Sequence, residues 1–116
     1  MIEQLVAKVF AARDAAHLAH WSTSSYSEHR ALEHFYTKVV SITDRLVECY
    51  QGAFEKLSKI ELERAKSTPA ELLAEQAVWL QQNLDVLSRD LAPLENIVAE
   101  LLELYLSTLY KLNNLR

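Results

Sequence analysis

Apolar residues recur along this chain at three- and four-residue spacing and almost nowhere in strict alternation. Ile2, Leu5, Val6, Val9, Ala12 and Ala16 share one stripe, which predicts a first helix from about Ile2 to Trp21. The run Ser22-Thr23-Ser24-Ser25 ends it. Ser25 and Glu28 stand at capping-box spacing and predict a second helix from about Tyr26 to the Gln51-Gly52 region. Residues 53–66 carry no decisive period. They are expected to be part helix and part connection, with the second helix continuing, bent or broken, through Leu57 and Ile60. Thr68-Pro69-Ala70-Glu71 is a start signal: Thr68 as N-cap, Pro69 in the first helical position, Glu71 completing the box. A third helix is expected from Pro69 to about Asp90, with Leu73, Ala77, Leu80, Leu84 and Leu87 in line, and a fourth from Pro93 to near Asn113-Asn114. Short connections make the first and last pairs antiparallel hairpins, and the longer middle connection suits a crossover. The expected fold is one all-α domain over residues 1–116, an antiparallel four-helix bundle.

Composition strengthens that picture. One glycine and two prolines in 116 residues leave little punctuation for strands and turns, and half the residues are hydrophobic. A single glycine also excludes a glycine-rich phosphate loop, and no Ser-His-Asp or Cys-His nucleophile arrangement is suggested. The net charge is −4, with no run of Lys or Arg, so DNA is not an expected partner. The lone Cys49 cannot form an internal disulfide and mildly favours a reducing, cytoplasmic setting. Charged residues interrupt every apolar run, so neither a signal peptide nor a membrane span is expected.

The second helix holds the candidate chemistry. Leu32, Phe35, Val39, Ile42, Leu46, Tyr50 and Leu57 form its core stripe; Arg30, Lys38, Ser41 and Arg45 form its solvent stripe. A third face carries His29, Glu33, Tyr36, Val40, Asp44, Val47 and Glu48, which mixes apolar residues with metal-ligating groups. A helix in a lone bundle needs one apolar stripe, so this face calls for a partner, most simply a second copy of the chain. His29 and Asp44 lie ~22 Å apart along one helix, too far to hold one ion. Two copies of this helix, antiparallel about an axis near Tyr36 and Thr37, would bring His29 of each to Asp44 of the other. Asp44 and Glu48 share a face and reach the same place. His20, at the end of the first helix, lies one short loop from His29.

His20-Trp21 followed by His29, Glu33, Tyr36, Asp44 and Glu48 resembles the signature of Dps, the mini-ferritins: a His-Trp pair, then a His with an acid at +4, an aromatic at +7, Asp at +15 and Glu at +19. The likeness covers residues 17–52, and beyond them only helix count and order. It implies a ferritin-like bundle in which His20 and His29 of one subunit, with Asp44 and Glu48 of its partner, bind iron for oxidation by peroxide or oxygen. Glu33 would be an additional ligand, and Trp21 would pack beside the site. A mixed imidazole and carboxylate shell suits iron, with zinc or manganese also accepted. The chain is shorter than Dps, has a tighter loop between the histidines and lacks a lysine-rich tail. Its Tyr-Lys-Leu ending is similar to that of small ferritin-like proteins of some phages.

Each signal also has a plainer reading. His20 beside Trp21 can be a helix-end pair, and Asp44 with Glu48 a solvated acidic pair next to Arg45. His17 is expected in a polar or interface role, and His34 as incidental. Phe10, Trp79, Tyr105 and Tyr110 are expected in the core, and the leucine-rich last helix is apolar almost all round. The leading expectation is a ferroxidase-type iron protein with sites shared between subunits. The alternative is a non-catalytic oligomeric interaction protein with a vestigial or structural metal site. A helical nucleotide hydrolase is disfavoured, because such enzymes need clustered acids for Mg²⁺.

Overall fold

A computed structural model describes residues 1–116. Its helices are α1 (Ile2–Ser22), α2 (Tyr26–Ala53), α3 (Pro69–Gln82), α4 (Leu84–Ser88) and α5 (Ala92–Asn114), and there is no strand. Both N-caps form, each as half of the expected box: Ser25 Oγ accepts the Glu28 N–H and Thr68 Oγ1 the Glu71 N–H, each at 3.3 Å, while the Ser25 N–H goes to Thr23 Oγ1 rather than to Glu28. The helices make a bundle of 44 × 25 × 21 Å. Leu5 and Val9 of α1, Leu32, Phe35, Val39 and Leu46 of α2, Leu73 and Leu80 of α3, and Leu94, Leu101 and Tyr105 of α5 all lie in one continuous buried cluster. No helix is long and apolar enough to cross a membrane.

Contacts fix how the helices run. Phe35 meets Tyr105 edge to face at 5.2 Å, Arg45 pairs with Glu100 at 2.8 Å, and Tyr50 lies against Arg89. Residue numbers rise along α5 as they fall along α2, so these helices are antiparallel. A buried polar chain ties the others together. Tyr105 Oη donates to Gln76 Oε1 at 2.6 Å, and Gln76 Nε2 donates to the Lys8 carbonyl at 2.9 Å. Burial pushes the Tyr105 hydroxyl well above its ordinary range, so it remains a donor.

Three expectations need correction. The stretch from Pro69 to Asp90 is two helices, not one. Asn83 breaks it: its side-chain Nδ2 donates to the Trp79 carbonyl at 2.8 Å, and its own N–H is shared between Trp79 and Leu80. A short amide side chain competes well with the helical ladder in this way. α4 then ends on Arg89 and Asp90, both at positive φ (47° and 57°), which restart the chain into α5. Next, α2 stops at Ala53, and residues 54–68 contain no helix. Leu57, Ile60 and Ala65 still pack on the core, but from an extended crossover rather than from α2. Finally, Phe10 and Tyr110 are exposed rather than in the core, whereas Tyr105 is buried and Trp79 half-buried. α5 buries one face only, leaving Leu106 exposed.

The crossover runs along α1. The Ser58 N–H and hydroxyl both donate to Glu3 Oε2, at 2.9 and 3.0 Å, and Lys8 pairs with Glu63 at 3.8 Å. The Ser58 N–H, followed by the N–H of Glu3 itself, holds the Glu3 carboxyl down at about 2.

Candidate metal centre

The turn between α1 and α2 is only Thr23-Ser24-Ser25, so the last turn of α1 lies beside the first turn of α2. Thr23 N–H bonds the Ala19 carbonyl, closing α1, and Thr23 Oγ1 accepts the Ser25 N–H at 3.1 Å. This rigid turn brings His20 against His29. Their rings stack with centroids 3.7 Å apart and planes 17° from parallel.

The two histidines hold each other's backbone. His20 Nδ1 lies 2.8 Å from the His29 carbonyl, and His29 Nδ1 lies 2.8 Å from the His20 carbonyl. A carbonyl oxygen only accepts, so each Nδ1 carries a proton, and in the neutral ring the lone pair is on Nε2. Neither Nε2 has a hydrogen-bond partner, and no buried side-chain polar atom is left unsatisfied. Both Nε2 atoms are therefore open to the outside, although His20 as a residue is only 7% exposed.

Glu33 sits one turn after His29 on α2. A ligand atom from each of His20, His29 and Glu33 lies within 4.8 Å of the other two. An Nδ1–H bound to a carbonyl, with Nε2 free, is the arrangement that orients a metal-ligating histidine and raises its basicity. Two imidazoles and a carboxylate converging in this way suit a divalent transition metal and suit Mg²⁺ or Ca²⁺ poorly.

Aromatic rings form one side of the site. Tyr36 meets His20 edge-on at 5.4 Å and is stacked by His17 at 4.1 Å. Trp21 is 69% exposed and reaches only His17, at 4.6 Å, so it does not pack on the imidazole pair as expected. The His17–Tyr36 stack went unnoticed in the sequence. The signal for it was His17 standing one helical turn before His20. Asp44 and Glu48 are exposed on the later turns of α2 and are not brought to His20, His29 and Glu33 within the chain. The face between them, Tyr36, Val40 and Val47, is half-buried. His34 is exposed and turned away. Its pKa is lowered, first by desolvation and then by the charges of Lys111 and Lys38.

Residues 20–112 match the model of a family of unknown function (DUF5856). The chain belongs to this family. The match opens at His20 and takes in His29, Glu33, Asp44 and Glu48, so the whole candidate ligand set lies inside the DUF5856 region. No curated protein and no solved structure matches the chain.

Proposed function

We propose that this DUF5856 protein binds Fe(II) at the His20–His29–Glu33 site and promotes its oxidation, as a ferritin-like protein of the Dps type. The observation that supports this most is the reciprocal clamp next to a carboxylate: each Nδ1 is spent on a backbone carbonyl, each Nε2 is left without a partner, and a Glu33 oxygen lies within 4.8 Å of a nitrogen of each ring. The scaffold suits the reading. α1, α2, α3 and α5 would be the four helices of an antiparallel ferritin-like bundle, with residues 54–68 as its long crossover.

Three donors leave coordination positions for substrate, oxidant or further ligands. Asp44 and Glu48 would supply two of these from a second copy whose α2 lies antiparallel on the half-buried Tyr36–Val40–Val47 face. Each Fe(II) gives up one electron. A peroxide molecule, accepting two electrons and two protons to become water, is therefore consumed by a pair of ferrous ions. The protein's part is to hold the ion, to exclude competing ligands and to present carboxylates that favour the ferric product. Zinc or manganese would compete for the same donors.

The test is Fe(II) oxidation by the purified chain, with oxygen or peroxide, against His29→Ala and Asp44→Ala. The reading expects both variants to be slower, His29→Ala more so. Equal rates in all three would overturn it.

A further inference from the structure

We propose that Arg30, Lys38 and Lys111 form a binding site for a phosphate group where α5 ends beside the first turns of α2. These residues are scattered in the sequence, and the fold gathers them around His34. One cleft of about 210 Å³ is lined by Arg30, Glu33, His34, Thr37 and Lys38. A second, of about 400 Å³, lies on the other side of Arg30 and His34 and adds Tyr26 and Lys111. Lys38 and Lys111 are both close enough for their charge to act on His34.

This concentration of positive charge stands out in a chain of net charge −4. The protein's ion pairs use Lys8, Arg13, Arg45, Arg89 and the N-terminus, so Arg30, Lys38 and Lys111 have no acidic partner. Glu33 is the sole carboxylate lining either cleft, and it belongs to the group formed with His20 and His29. Uncompensated cations that line a concave surface favour an oxyanion. A guanidinium presents a flat fork that matches two phosphate oxygens, and the lysines add point charges. His34 makes no hydrogen bond of its own and stands between the clefts. Tyr26 is 75% exposed at the lip of the larger cleft, where an organic group carried by the phosphate would lie.

The ligand class is a phosphate group, either free or as a small phosphate ester. The site shares only Glu33 with the candidate metal group and is tested with the metal-free chain in the presence of a chelator. Amide resonances of the full-length ¹⁵N-labelled protein are followed while inorganic phosphate, AMP or adenosine is added at constant ionic strength. Saturable shifts centred on residues 30–38 and on Lys111 are expected with phosphate or AMP. Arg30→Gln combined with Lys111→Gln should weaken them about tenfold, whereas Lys8→Gln, which removes a cation elsewhere, should leave them unchanged. AMP binding more tightly than phosphate would identify an ester seated on Tyr26, and equal affinity would identify free phosphate. Absence of saturation with both, shifts unaffected by the double substitution, or adenosine binding as well as AMP would each overturn the proposal.

Discussion

The two ends of α2 are fastened by opposite chemistry. At its last turn, Arg89 lies 3.8 Å over the Phe54 ring, donates to Tyr50 Oη at 3.4 Å and sits 3.7 Å from Glu55. Tyr50 Oη in turn donates to Glu55 Oε1 at 3.0 Å. The polar groups there satisfy one another. At the first turn, His20 and His29 also satisfy each other, but with one nitrogen each, and a carboxylate is added nearby. Both ends close a connection between helices. The difference is in kind: the far end joins a guanidinium to a carboxylate and a phenol, whereas the first end sets two imidazoles and a carboxylate together, a set that could hold a metal ion.

Substitutions at the two ends should therefore separate. The largest difference is expected in metal affinity. His29→Ala should weaken Zn(II) or Co(II) binding by roughly 100-fold or more, and Arg89→Ala should leave it unchanged. Competition with a chromophoric chelator reads both. Stability comes next. His20→Ala removes a buried ring and a hydrogen bond to the His29 carbonyl and should cost about 2 kcal/mol in denaturant unfolding of the metal-free protein.

At the far end the expected costs are smaller. Arg89→Ala loses an exposed stack and ion pair, worth about 1 kcal/mol. Arg89→Gly loses the same contacts but relieves the positive φ of 47°. It should be more stable than Arg89→Ala by about 1 kcal/mol. If the Gly and Ala variants unfold together, the backbone there is not under strain.

The smallest effect concerns the crossover that leaves this far end. Glu3 holds Ser58 with a carboxyl depressed to about 2 from an ordinary 4.5. A depressed folded-state value means that charged Glu3 stabilises the fold above pH 4.5. That contribution fades as pH falls from 4.5 towards 2. Glu3→Gln should thus be less stable than wild type at neutral pH, with the gap closing across that window. A gap that stays constant with pH would show that the carboxylate's charge is not what holds Ser58.

Much of the fold was legible because it is local. Capping at Ser25 and Thr68, the core stripe from Leu32 to Tyr50 and the solvent stripe of Arg30, Lys38, Ser41 and Arg45 all follow from spacing along one helix. The break at Asn83 was missed because an amide side chain reads as tolerable in an apolar pattern until it finds the Trp79 carbonyl. Phe10 and Tyr110 were misplaced because period alone does not say which face a neighbouring helix covers. His20, His29 and Glu33 were legible from spacing across a short turn. Their reciprocal grip on each other's carbonyls was not, since it depends on the angle between α1 and α2. The gathering of Lys111 with Arg30 and Lys38 was invisible for the same reason: it joins residues from opposite ends of the sequence.

Anaerobic titration with Co(II), followed through its visible absorption, asks the central question of whether the free nitrogens at the first end of α2 are metal ligands. Saturable binding with a spectrum of mixed nitrogen and oxygen ligation is expected, abolished by His29→Ala and weakened by Glu33→Gln. Binding that does not saturate, or that is the same in wild type and both variants, would contradict the account and leave the two histidines as a clasp between helices.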